Sequence, residues 1–101
     1  MTRVEFRIEC RRQRCCQVPG CEKSTAPWGA HHVVYEQEVR RRGRPPFDAR
    51  NALRVCNRHH SRHHNGIERI PLAALSETNI EYAREVLGDY AIDYLASHYA
   101  A

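Results

Sequence analysis

At the start of the chain Val4, Phe6 and Ile8 alternate with Glu5, Arg7 and Glu9. A period of two predicts a half-buried N-terminal strand. A basic stretch (Arg11, Arg12, Arg14) leads into Cys16-Gln17-Val18-Pro19-Gly20-Cys21. Pro-Gly between cysteines signals a tight turn that can bring both sulfurs to one side. Ala30 to Tyr35 has the β-branched and aromatic content of a second strand, and Asn51 to Cys56 reads as a short apolar strand returning beside it. Between them residues 36–50 are polar and arginine-rich, and Pro45-Pro46 rules out a continuous helix. Residues 58–65 are too polar for a core and suit one short His-rich helix closed by Gly66. Beyond Pro71 the period becomes helical. Thr78-Asn79-Ile80-Glu81 reads as a capping box, with Ile80, Ala83 and Leu87 on one stripe. Gly88 ends that helix, Asp89 caps the next, and Ala91, Ile92, Leu95, Ala96 and Tyr99 form a second stripe. The predicted class is α+β: an N-terminal strand, a cysteine turn, two further strands, a His-rich helix and C-terminal helices over 72–99.

Length narrows the picture. With 101 residues the chain makes one small domain, of a size that often depends on a metal, a disulfide or a partner. Hydrophobic residues at 42% and charged residues at 28% argue against wholesale disorder. No apolar run is long enough to span a membrane, and the N-terminus lacks the apolar region of a signal peptide. A cytoplasmic, reducing location is therefore expected, where cysteines serve as metal ligands or free thiols. Charge is uneven. Residues 1–66 carry 14 Lys+Arg against 6 Asp+Glu, whereas residues 67–101 carry 2 against 6. The basic part suggests a nucleic-acid face, and the acidic helices suggest a separate element able to dock a protein partner or self-associate.

Five cysteines and seven histidines are the chemistry to explain. Six of the histidines fall in two clusters, His31-His32 and His59-His60-Ser61-Arg62-His63-His64. Residues four apart share a helix face, so His60 and His64 can converge on one ion. Cys56 and His59 make a C-x₂-H step at the start of that helix. Joined to the Cys16–Cys21 turn they give a Cys₃His set, a standard composition for a structural Zn²⁺. Cys15 competes with Cys16 for the first position, Cys10 reads as a small apolar residue, and Trp28 as packing. That assignment leaves His31, His32, His60, His63 and His64 over. A second, catalytic cation with open coordination positions is a use for three of them; a polar helix face contacting phosphates is the alternative.

The ordered series CQVPGC (16–21), AHHVV (30–34), Asn51 within RNALRVC and CNRHHSRHHNG (56–66) resembles the HNH endonucleases. It is closest to their zinc-containing subgroup, and the C-terminal helices are similar to those of small stand-alone bacteriophage HNH proteins. The resemblance covers about residues 16–66. It implies one nuclease domain over 1–101, with a zinc and ββα-metal (His-Me finger) core at 10–66. It further implies His32 as general base, Asn51 as the residue bracing the loop, and His31, His60 and His64 as ligands of one divalent cation (Mg²⁺, Mn²⁺, Ni²⁺ or Zn²⁺). His63 has no assigned role. DNA would be held mainly through its phosphate backbone, with Arg40, Arg41, Arg42, Arg44, Arg58 and Arg62 as candidate contacts. If phage-encoded, such a protein would act in the host cytoplasm. The competing reading is a zinc-stabilised DNA-binding module without catalysis, or an accessory subunit of a DNA-packaging or nuclease complex; a pure binding module has no need of a base histidine beside a ligand histidine.

Overall fold

The N-terminal segment is a helix, α1 (Arg3–Arg11), and not the expected strand. Thr2 Oγ1 accepts the Glu5 N–H at 3.1 Å, and the Glu5 carboxylate accepts the Thr2 N–H at 2.8 Å. This reciprocal box satisfies two donors at the helix start. Only Phe6 and Cys10, four residues apart, face inwards; Val4 and Ile8 lie on the outer flank, 66% and 49% exposed. Period four had overridden period two, and Thr2-x-x-Glu5 was the signal for it. The computed structural model describes residues 1–21, 23 and 28–101, and the Trp28 side chain lies outside the described residues.

Two antiparallel strands form the only sheet among those residues: β1 (Trp28–His32) and β2 (Ala52–Cys56). Trp28 stands opposite Cys56 and His32 opposite Ala52. Alternation sorts the side chains of β2. Ala52 packs on Phe6 and Cys10, while Leu53 and Val55 enter the main core. The outer edge of β2 is covered by Gln13, whose amide donates to Ala52 O at 2.8 Å and accepts the Arg54 N–H at 2.9 Å. Arg54 Nη1 in turn donates to the carbonyls of Gln13 and Arg14 beyond the end of α1, at 2.8 and 3.1 Å. An edge strand is thus closed without a third strand.

The connection at 36–50 contains a short helix, α2 (Glu36–Arg41), before the Pro-Pro step, and a 3₁₀ turn at Ala49–Asn51. The His-rich helix is α3 (Asn57–His64), following β2 directly, with Gly66 at φ 70° where the chain turns away. The C-terminal half is helical as expected, with shifted caps. The helix α4 (Glu77–Leu87) starts from a capping box of Ser76 and Asn79, two residues before the expected one. Ser76 can serve because its side chain reaches the Asn79 N–H at 3.1 Å. A 3₁₀ turn at Gly88–Tyr90 leads into α5 (Ala91–His98), and Asp89 makes no cap because the turn runs straight into the helix. On α5 the buried face is Ala91, Tyr94, Leu95 and then Tyr99, while Ile92 is 69% exposed. A parallel bridge between Pro71 and Ala100 ties the C-terminus to the segment after α3. That bridge sets Tyr99 against the end of β1.

Candidate metal centres

The first constellation lies where the Cys16–Cys21 turn meets the start of α3. Ligand atoms of Cys16, Cys21, Cys56 and His59 all lie within 4.8 Å of one another. The Cys21 and Cys56 sulfurs are 3.9 Å apart, and His59 Nδ1 is 3.1 Å from Cys56 Sγ and 3.6 Å from Cys16 Sγ. A sulfur separation near 3.9 Å is far beyond a disulfide bond. It matches the edge of a tetrahedron with metal–sulfur bonds of about 2.3 Å, about 3.8 Å. These four residues could hold a metal ion. Burial pushes the Cys56 thiol up, but backbone hydrogen bonds from His59 and Arg58 and the neighbouring thiols outweigh it, so its pKa falls below the ordinary value. Of the Cys15-Cys16 pair, Cys16 is the one whose sulfur lies in this cluster. Cys10 is fully buried beside Phe6 and Ala52, and burial pushes its thiol up to about 12.

The second constellation is formed by His31 on β1 and His60 and His64 on α3, again within 4.8 Å of one another. Spacing by four puts His60 and His64 side by side, with Nε2 atoms 3.1 Å apart. His31 is fully buried, and its two ring nitrogens are distinguishable. The Val33 carbonyl can only accept, so the Tyr99 hydroxyl donates to it (2.5 Å). The Tyr99 oxygen therefore accepts from His31 Nε2–H, at 2.8 Å. Nδ1 of His31 is left deprotonated, buried and without a hydrogen-bond partner among the described residues. A buried lone pair with no donor, beside two more imidazoles, fits a cation. Burial holds the pKa of all three histidines below the ordinary 6.5, so each is neutral at pH 7 and can ligate.

His32 leaves the strand on the opposite face from His31. Its ring stacks on Phe6 (centroids 4.2 Å, 12° between planes) and meets Phe47 at 5.8 Å. Burial is the main reason its pKa falls to about 4, opposed by Glu36, whose Oε1 is 3.9 Å from Nε2. His32 nevertheless opens into the same cavity of about 260 Å³ as His60, His64, Glu36 and Arg3. Arg3 pairs with Glu36 at 3.4 Å. Asn51, completely buried, accepts the Val34 N–H and donates to the Val34 carbonyl, both at 2.8 Å, and its own carbonyl accepts the Val33 N–H. It clamps the chain just after His32.

His63 is not a member of either group. Its Nδ1 accepts the Ile70 N–H at 2.9 Å, so its proton sits on Nε2 and is donated to Tyr35 Oη at 2.6 Å. It anchors the chain after α3. Arg3, Tyr35, Glu36 and Tyr99 border the centre but carry no signal in the sequence pattern; Arg3 alone was recoverable, once Thr2-x-x-Glu5 is read as a helix start. The candidate arginines of the loop are ion-paired within the chain: Arg40 with Glu36, Arg41 and Arg42 with Glu38, and Arg44 with Glu85. Arg62 pairs with Glu68 at 3.6 Å. Arg58 borders an open pocket beside the cysteine cluster with Lys23 and has no acidic partner among the described residues. No helix among those residues is long and apolar enough to cross a membrane. No family model, curated protein or solved structure matches the chain.

Proposed function

We propose that this chain is a metal-dependent DNA endonuclease of the HNH type, hydrolysing phosphodiester bonds. One observation carries the reading: His31, His60 and His64 converge, with His31 Nδ1 unpartnered among the described residues, while the adjacent His32 opens into the cavity that His60 and His64 line. The order β1, β2, α3, with ligands on the first strand and the helix, supports a ββα-metal core. Zn²⁺ is the ion proposed for Cys16, Cys21, Cys56 and His59, and one divalent cation for His31, His60 and His64. When bound there, the divalent ion supplies positive charge for the scissile phosphate and the leaving 3′ oxygen.

The chain's own groups then divide the work. His32, neutral and held flat by Phe6, accepts the proton of the attacking water. Glu36, beside His32 Nε2, faces the positive charge that then develops on the ring. Arg3, at the mouth of the same cavity, contacts the phosphate. Asn51 holds Val33 and Val34, and so the end of the strand that bears both histidines. The test is plasmid cleavage with Mg²⁺, Mn²⁺ or Ni²⁺ by the wild type and by His32→Ala. Cleavage by the wild type and a loss of at least 100-fold in the variant are expected. Equal rates would remove His32 as base, and undiminished cutting in excess EDTA would overturn the metal-dependent mechanism.

A further inference from the structure

A second cavity, of about 230 Å³, shares Tyr35 and His64 with the first. Tyr35, His63, His64, Arg69, Ser97 and His98 line it. Arg69 is exposed and has no acidic partner among the described residues. His98 packs its ring on Tyr35 and Tyr94, at 4.9 and 4.4 Å, with no hydrogen bond to either ring nitrogen among those residues. Tyr35 has a specific polarity. Its oxygen already receives the His63 Nε2–H, because His63 Nδ1 is occupied by the Ile70 N–H. The phenolic proton therefore remains to be donated into the cavity. No carboxylate among the described residues lines it; Glu38 and Glu36 border neighbouring cavities and are engaged by Arg41 and Arg42 and by Arg3 and Arg40.

A guanidinium, a phenolic donor and an imidazole around a cavity without an acid form a receptor for a phosphate group. His64 belongs both to this cavity and to the histidine trio. We propose that the Arg69–Tyr35–His98 cavity binds the phosphodiester next to the scissile one on the same strand, orienting the strand across the metal centre. The inference rests on the nuclease reading above, and it identifies Arg69 and Tyr35 as positioning residues rather than catalytic ones.

The experiment measures binding of the full chain to a short duplex by fluorescence anisotropy at several salt concentrations. Single phosphates are replaced in turn by uncharged methylphosphonate. The wild type should bind about tenfold more weakly when the phosphate beside the cleaved bond is replaced. Arg69→Gln should lose sensitivity at that position alone and lower the slope of log K against log salt by about 0.9. Tyr35→Phe, which keeps the ring contacts, should lose sensitivity at the same position. Circular dichroism checks that both variants are folded. An Arg69→Gln protein with the wild-type slope and profile overturns the subsite; plasmid cleavage by that same variant would leave the nuclease reading standing. His98 ring signals that shift with inorganic phosphate but not with duplex overturn the strand assignment. A wild type that binds no duplex overturns both readings.

Discussion

Burial decides the protonation of His31 and direction decides its use. A neutral imidazole has one donor and one acceptor nitrogen, and which is which follows from the fixed partner. For His31 that partner is Tyr99, itself committed to the Val33 carbonyl. Tyr99→Phe should weaken divalent-ion binding by about 10–100-fold, as loss of such supporting contacts commonly does. Titration of the variant with Co²⁺ or Mn²⁺ checks it, and unchanged affinity would mean that packing alone orients His31. Asn51→Ala tests a different dependence. It leaves the Val34 N–H and carbonyl buried and unpaired, each costing about 1–3 kcal/mol. A loss of about 2–6 kcal/mol in urea-unfolding free energy is expected for the two together.

At the scale of elements, α3 serves three neighbours at once. His59 turns to the cysteines, His60 and His64 to His31, and His63 to Tyr35 and Ile70. His59 and His63 share a helix face by spacing, yet about 6 Å of axial rise puts them beside different partners. The start of α3 adjoins the cysteine cluster, so a metal bound there should govern the helix. Cys56→Ser is expected to lose one equivalent of zinc and to unfold the domain, since structural zinc contributes about 10–16 kcal/mol in small domains. Zinc content by elemental analysis and far-UV circular dichroism check this; a folded, zinc-free variant of full stability would contradict it. At the other end of the chain, Thr2→Ala removes the box on α1 and should cost about 1 kcal/mol, read as a lower thermal midpoint.

For the whole molecule, the clustered histidines make stability depend on pH. Burial depresses the pKa of His31, His32, His60, His63 and His64 below the ordinary 6.5, with His32 and His63 at about 4. Between those limits the unfolded chain binds more protons than the folded one, so stability rises with pH. It should be complete above about pH 6.5 and fall progressively towards pH 4. Asp48 and Glu85 add a separate window. Their pairing with Arg50 lowers both below the ordinary 3.8 and 4.5, so their contribution is lost only in more acidic solution. Urea midpoints measured between pH 7.5 and 3.5 should show the histidine phase first; a midpoint flat from pH 7 to 4.5 would contradict it. The charge asymmetry also takes a structural form. Glu85 of α4 reaches back to Arg44 and Arg50, so part of the basic loop is neutralised by the acidic half.

Much of the site was legible because it is local. Cys56 and His59, or His60 and His64, meet through helical spacing alone, and Pro19-Gly20 turns Cys16 toward Cys21. A returning strand pair and two C-terminal helices followed from apolar content and period, although the first strand, expected at 30–35, runs over Trp28–His32 and the second, expected at 51–56, over Ala52–Cys56. What the sequence alone left undecided was every feature set by a partner distant along the chain. Val4, Phe6 and Ile8 fit a strand or a helix; a reciprocal cap, and a core with room for Phe6 and Cys10 only, selected the helix. His63 had no assigned role in the sequence; folding gave it one by setting Ile70 N–H on its Nδ1 and Tyr35 on its Nε2. Tyr99, 68 residues from His31, read only as part of an apolar helix stripe, since a hydroxyl acquires its role only when folding buries it beside a ring nitrogen. Spacing along the chain sets which donors can share a face. Long-range burial sets which of them keep a free lone pair, and that second selection belongs to the tertiary structure.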